Sequence, residues 1–287
     1  MATFNGEAWI RDQIESILSQ RAVNVRLFVS DDGSTDSTRA VLGQLAATDA
    51  RIGWSQNPRP MGCGAANFFH MVRTLNLGDF DYIAFSDQDD IWLPGKLASQ
   101  VDQLQTCGAD GTSSDVIAFW STGRAFYLKK SYPQRLYDYV FESPGPGCTM
   151  LITPRLFEKL RWLLLDQTSP ASNVGFHDWL IYAVARASGW KWLIAGQPTV
   201  LYRQHQANEF GANRGLAAIE RRLRRYLSGA YARDCRAILS VAGQCAGTSG
   251  AVIRALSLED ILLHGRRRPL HRFVIAAMFP TGLLVKK

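Results

Sequence analysis

The sequence predicts an α/β fold, with a mixed, mainly parallel sheet and a helical extension toward the C-terminus. Three observations carry this. Short β-rich runs alternate with helical patterns between residues 7 and 85. Two of those runs end in clustered carboxylates, Asp31-Asp32 and Asp87-Gln88-Asp89-Asp90. From Leu216 onward the pattern becomes amphipathic and rich in arginine. Alternating strands and helices imply parallel pairing, and ligands of such sheets sit beyond the carboxyl ends of the strands.

Taken in order, residues 7–20 place Trp9, Ile10, Ile14, Ile17 and Leu18 at helical spacing. Residues 25–30 read as a strand ending at Asp31-Asp32-Gly33. Residues 37–47 are helical, 52–55 a strand, 65–76 a helix and 82–85 a buried strand. Further along, 97–104 predicts a helix and 116–126 a strand. The Pro/Gly run 143–147 is a loop, followed by strand-like 148–152. Residues 178–187 carry Leu180, Ile181, Val184 and Ala185 on one helical face. Residues 190–194 and 199–202 are short strands, the second leading into Arg203-Gln204-His205.

In the extension, Leu216, Ile219, Leu223, Tyr226 and Ala230 recur at three- and four-residue steps around Arg221, Arg222, Arg224 and Arg225. That is a basic amphipathic helix, expected either to pack on the body or to meet an anionic partner. Arg266, Arg267 and Arg268 precede the apolar run 273–279. This run is far short of the roughly twenty residues a bilayer span needs. It reads as an interfacial segment or as a core helix.

Length and composition bound the rest. The chain has 287 residues, 47% hydrophobic and 20% charged, as an ordinary globular protein does. Its five cysteines form no C-x-x-C pair, which points to free thiols in a reducing cytosol and away from a zinc site. The first residues lack a signal-peptide pattern. The net charge of +7 is uneven: residues 1–200 hold 17 Lys/Arg against 20 Asp/Glu, and residues 201–287 hold 15 against 5. The tail lacks a zinc pattern or a known recognition motif, so nucleic acid is not expected as its partner.

The carboxylates of Ser86-Asp87-Gln88-Asp89-Asp90 are the sharpest chemical signal. Three like charges within four residues repel one another unless a cation answers them. In extended chain Asp87 and Asp89 point to one side. Hard cations such as Mg²⁺ or Mn²⁺ take oxygen ligands, often one or two carboxylates plus substrate phosphates. Asp90 is expected to cap the turn that follows it.

The ordered set Ala2-Thr3-Phe4-Asn5-Gly6, Ser30-Asp31-Asp32-Gly33-Ser34-Thr35-Asp36, Asp87-Gln88-Asp89-Asp90 and His177-Asp178-Trp179 resembles the family-two glycosyltransferases of GT-A fold. Tyr202-Arg203-Gln204-His205 and Gly147-Cys148-Thr149-Met150 narrow the resemblance to rhamnosyltransferases of O-antigen and other bacterial surface polysaccharides. The resemblance covers about residues 1–210. It implies a GT-A-type α/β/α sandwich over residues 1–212, with a nucleotide-binding half to about 95 and an acceptor-binding half from 96. The basic tail would then occupy 213–287.

The resemblance also implies roles. Thr3, Asn5, Asp32, Gly62, Asn67 and Asp87 would bind the nucleotide, Asp32 by accepting the imide N–H of uracil or thymine. Asp89 and His205 would hold Mg²⁺ or Mn²⁺. Asp178 would be the general base, and Cys148, Thr149 and Trp179 would meet the acceptor. The implied reaction inverts a dTDP- or UDP-sugar, dTDP-L-rhamnose foremost, onto a saccharide linked to a lipid diphosphate. That would place the protein in the cytoplasm, at the inner face of the membrane, with its basic tail on anionic lipid. Rival readings are a nucleotidyltransferase, for which no basic triphosphate loop stands near the N-terminus, and a nucleotide-sugar-binding scaffold without turnover. In the family an apolar strand precedes the Ala2-Thr3-Phe4-Asn5 equivalent. Met1 is therefore expected to be internal to a longer chain.

Overall fold

The structure, a computed structural model, describes residues 1–205, 208, 216–246 and 256–278. The expected boundary at 212 and the end of the apolar run at Phe279 lie outside the described residues.

The first half alternates as the patterning predicts: β1 (Ala2–Thr3), α1 (Ile10–Leu18), β2 (Leu27–Asp31), α2 (Thr38–Thr48), β3 (Ile52–Gln56), α3 (Gly64–Thr74), β4 (Ile83–Ala84) and β5 (Ile91–Trp92). Then follow α4 (Lys96–Cys107), β6 (Gly111–Ser114), β7 (Val116–Trp120), β8 (Ala125–Leu128) and α5 (Asp138–Phe141). A 3₁₀ turn, Gly147–Thr149, leads to β9 (Leu151–Ile152), α6 (Pro154–Leu165), a second 3₁₀ turn (Pro170–Asn173), α7 (His177–Ala187), β10 (Trp192–Ala195) and β11 (Val200–Gln204). The tail holds α8 (Leu216–Leu227), α9 (Ala230–Cys245), α10 (Leu258–His264) and α11 (Pro269–Met278).

Among the described residues the strands form three hydrogen-bonded groups, ordered β1-β2-β3, β10-β6-β9-β4 and β5-β11-β7-β8. The first group is parallel, as are β10 with β6 and β11 with β7. The pairs β5–β11, β4–β9, β6–β9 and β7–β8 are antiparallel. The sheet is therefore mixed, and the longer registers of β2–β3, β10–β6 and β11–β7 keep it mainly parallel, as expected. The largest antiparallel contribution is local: the run 116–126 is not one strand but the hairpin β7–β8, closed where Gly123 donates its N–H to Trp120 O. Strands from both expected halves pair, since β5 joins β11 and β4 joins β9.

Burial sets two apolar clusters. One gathers α1, α2, β2 and α4 around Ile10, Ile14, Leu42, Trp92 and Leu104. The other is larger and centres on α7, where every residue from Trp179 to Ala185 is buried among α3, α6 and α9. Tyr231, Cys235, Ile238 and Val241 of α9 belong to that same cluster, so this part of the tail packs into the body.

At the amino end, Met1 is buried and its terminal amino group donates to Phe28 O at 2.7 Å. A cavity of ≈ 900 Å³ lies behind it, lined by apolar side chains including Met1, Leu27, Val72, Ile83 and Leu97. None of the expected metal-binding or base residues lines it.

Candidate active site

The carboxyl end of β2 builds the first wall. Asp31 is taken up by its own turn, accepting the N–H of Gly33 and of Ser34 and the Ser34 hydroxyl at 2.5 Å. Asp32 turns the other way. Its Oδ1 accepts Met61 N–H at 2.6 Å and Asn57 Nδ2 at 2.9 Å, and its Oδ2 accepts Gly62 N–H at 3.0 Å. Asp32 and Gly62 thus come together, as the sequence suggests. Asn67 does not reach that surface. It is buried, donates to Ser30 O, and accepts from Ser30 Oγ and Asn57 Nδ2. Its expected contact with the nucleotide is corrected: Asn67 shapes the wall from behind, because its amide is already used.

Thr3 and Asn5 sit beside this wall. Thr3 is buried and gives its hydroxyl to Gln88 Oε1 at 2.6 Å. Exposed Asn5, at φ 49°, accepts Thr35 N–H through its side chain. Gln88 is the clamp that sequence reasoning missed. Its amide accepts Phe4 N–H and donates to Phe4 O, tying the acidic run to the end of β1.

With Gln88 turned toward β1, the three carboxylates diverge. Asp89 meets His205, with Oδ2 2.8 Å from Nε2, and also Asn208 Nδ2 at 3.3 Å. Asp90 is fully buried and accepts the N–H of Arg203 on β11 at 3.0 Å. It therefore holds a neighbouring strand, and the expectation that it caps its own turn is corrected. Burial, with Asp89 and Asp87 close by, pushes the Asp90 carboxyl well above its ordinary range. Oxygens of Asp87 and Asp90 and the Cys148 sulfur all lie within 4.8 Å of one another.

These residues fit a hard divalent cation. Asp89 brings carboxylate oxygen and His205, 2.8 Å from it, a ring nitrogen, both within the usual donor set of Mn²⁺ or Mg²⁺. The His205 Nδ1 is buried without a partner among the described residues, so the ring has capacity beyond its contact to Asp89. Cys148 is the poor member, since thiol sulfur suits soft ions.

His205 is also held from outside. The Trp9 ring, just before α1, stacks on it with centroids 3.8 Å apart and planes 14° apart. Arg203 fixes the same strand end, reaching Asp12 of α1 at 3.1 Å and Asp89 O at 2.8 Å. No local motif marks Trp9 as part of the site. Only the fold brings α1 to the end of β11.

Asp178 stands at the start of α7 on the opposite wall. Its Oδ1 accepts Trp179 N–H at 2.8 Å and the Ser143 hydroxyl bonds its carboxylate. Burial raises its pKa to about 6, a shift that these bonds and the charges of Lys130 and Arg225 only partly offset. A base titrating near neutrality suits proton abstraction. His177 is packed on Phe68 at 4.0 Å between ring centroids, and burial pushes it down to about 3, so it stays neutral.

The Gly147–Thr149 turn joins the two walls. A Cβ on Gly147 would lie 2.1 Å from His177 Nε2, so only glycine allows this approach. The next residue, Cys148, touches Asp90. Both Cys148 and Thr149 are fully enclosed, at 1% and 0% exposure, and Thr149 gives its hydroxyl to Pro146 O. Neither is placed to meet an acceptor. Trp179, at 3% exposure, donates from Nε1 to Tyr139 O and stacks on Tyr231. It is a packing residue and offers no ring face to a sugar. Those three acceptor assignments are corrected for one reason: the loop and helix that carry them turn their side chains into the core.

Comparison with known proteins matches this architecture. The family model described as glycosyl transferase family 2 covers residues 1–163. The dTDP-rhamnosyl transferase RfbG of Shigella flexneri is 37% identical over 224 residues, 78% of this chain and 78% of that protein. The UDP-Glc:alpha-D-GlcNAc-diphosphoundecaprenol beta-1,3-glucosyltransferase WfgD of Escherichia coli is 36% identical over 192 residues, 61% of this chain and 72% of its own. Among solved structures, the mannosyltransferase PcManGT from Pyrobaculum calidifontis in complex with GDP-Man and Mn²⁺ superposes with a TM-score of 0.52 at 16% identity, over 99% of this chain and 81% of that one. At that identity the likeness is one of fold.

Proposed function

Because the chain belongs to glycosyl transferase family 2, we propose that it is a metal-dependent, inverting rhamnosyltransferase of surface polysaccharide synthesis. The donor is dTDP-L-rhamnose and the acceptor a saccharide carried on a lipid diphosphate. The names of RfbG and WfgD support donor and acceptor respectively. A bilayer-held acceptor brings the protein to the inner face of the cytoplasmic membrane. The observation that carries the proposal is the Gly147–Thr149 turn, which touches the helix start bearing Asp178 on one side and the acidic run on the other.

In this reading Asp32 accepts the thymine imide N–H on Oδ2, which has one N–H donor on it already. Thr3, Asn5 and Gly62 line the nucleotide, and Asp87 faces its ribose. Asp89 and His205 hold the cation, which would neutralise charge on the departing diphosphate. Asp178 takes the proton of the acceptor hydroxyl. The acceptor oxygen bonds to the anomeric carbon from the face opposite the nucleotide, and the bond to the nucleoside diphosphate breaks. The configuration inverts in one displacement, so no covalent intermediate on the enzyme is required.

The test is nucleotide release from dTDP-rhamnose, UDP-glucose and UDP-galactose with Mg²⁺ or Mn²⁺, repeated with EDTA. The expected result is acceptor-dependent release, greatest with dTDP-rhamnose and lost in EDTA. Absence of release from every donor, with acceptor present, would refute the enzyme reading.

A further inference from the structure

Helix α11 is built inside out. Leu270, Phe273, Val274 and Ala277 fall at i, i+3, i+4 and i+7, the spacing that normally marks a buried stripe. Here all four are exposed, with Leu270 at 78%, Phe273 at 64% and Val274 at 49%. The packing contacts come from Ile275 and Ala276 on the other side. Adjoining α10 adds exposed Leu263. Scattered exposed apolar residues mean little, but a contiguous helical stripe marks a surface that something covers.

The surrounding charge says what covers it. Exposed Arg268 stands at the entry to α11, whereas Arg272 lies on the packing side with Ile275 and Ala276, its guanidinium donating to Arg266 O and Arg267 O. The whole of residues 201–287 carries fifteen basic against five acidic residues. An apolar stripe with an exposed arginine at its entry, on a segment of strong positive charge, fits the boundary of an anionic leaflet, where the apolar face enters the acyl region and cations meet headgroups. No helix among the described residues is long and apolar enough to cross a bilayer.

We propose that the Leu270–Phe273–Val274–Ala277 face of α11, with Arg268 at its entry, is a docking surface for an anionic lipid bilayer. The segment is well anchored for this. Arg266 Nη2 donates to Phe141 O at 2.8 Å, and Arg267 donates its N–H to Glu142 and a guanidinium N–H to Ser143 O. Ser143 in turn bonds Asp178. The segment that carries the face is therefore joined through Ser143 to the candidate base. The inference deepens the acceptor reading above and relies on it only for the purpose of the contact.

The experiment is flotation of the purified protein with vesicles of phosphatidylglycerol and phosphatidylethanolamine, against vesicles of phosphatidylcholine alone. No donor or acceptor is present, so a negative result leaves the sugar-transfer reading standing, and a failed transfer assay leaves this one standing. Wild type is expected to float with anionic vesicles. L270E/F273E should lower partitioning by at least about tenfold, while R268E weakens it and added salt reproduces that loss. Thermal unfolding and dTDP binding of the variants should match wild type, because the replaced side chains are exposed. Equal flotation of wild type and L270E/F273E would overturn the proposal, as would failure of wild type to float or indifference to lipid charge. Lipid-free dimerisation that L270E/F273E abolishes would also overturn it, assigning the face to a second copy of the chain.

Discussion

Replacing Asp178 by asparagine should abolish transfer and stabilise the fold in a pH-dependent way. The carboxyl has a pKa of about 6 in the folded chain against an ordinary value of 3.8. The folded state therefore holds this proton more tightly than the unfolded state does. The stability it contributes is full below about pH 4 and is lost as pH rises through about 6. At pH 8 the difference between the two values corresponds to a cost of about 3 kcal/mol, at about 1.36 kcal/mol per pKa unit. At pH 5 the cost is about 1.6 kcal/mol by the same linkage. The amide of the Asp178→Asn variant does not titrate and keeps an oxygen for Trp179 N–H and Ser143. Its gain over wild type should therefore rise by about 1.4 kcal/mol between pH 5 and pH 8. Because Asp178 retains some exposure, solvent makes these upper values. Urea unfolding at both pH values measures the gain. Steady-state transfer should fall by about 10²–10⁴ in the variant, with dTDP affinity unchanged. In wild type, kcat/KM should drop about tenfold per pH unit below pH 6. A gain that does not change with pH, or transfer at the wild-type rate, would refute the burial argument or the base assignment respectively.

Gly147→Ala places a methyl group 2.1 Å from His177 Nε2; thermal and urea unfolding should show a loss of about 1–3 kcal/mol, with transfer falling more steeply than dTDP binding. An unperturbed variant would mean that the turn and α7 are not tightly joined. Trp9→Ala removes the ring stacked on His205; the half-saturating Mn²⁺ concentration should rise several-fold, about 3–10, from losing an aromatic contact of about 0.5–1.5 kcal/mol. Trp9→Phe should restore most of it, whereas unchanged metal dependence in Trp9→Ala would make the stack merely structural.

The first half of the fold is legible because its signals are local. Ile10, Ile14 and Ile17 mark α1 by spacing, and the β2 run ends where its carboxylates begin. The strand β6 leaves no such mark. Gly111, Thr112, Ser113 and Ser114 are all buried, yet none is apolar. Their burial is offset by partners distant in sequence: Ser113 accepts Trp192 Nε1 and Ser114 meets Thr199. Helix α6 does carry a signal, a Thr153 N-cap before Pro154 and the stripe Leu156, Phe157, Leu160, Leu163 and Leu164, though it is missing from the elements expected from sequence. The site divides along the same line. The motifs name the carboxylates, but pattern alone does not say which way a turn aims each side chain. Gln88 folds back on Phe4, Asp90 reaches across to β11, and Cys148, Thr149 and Trp179 face inward. Trp9 reaches His205 only once β11 has been threaded beside β5.

The enclosure of α7 links distant events. This helix carries in its first turn the residue that would take the proton, and its middle is sealed between α3, α6 and α9. Its amides should exchange with solvent only when the whole domain opens, not by local fraying. Any ligand that holds the native arrangement of the tail then slows that exchange by mass action, however far it binds from Asp178. Lipid vesicles in one exchange experiment and a nucleotide in another should protect the same backbone segment, each without touching it.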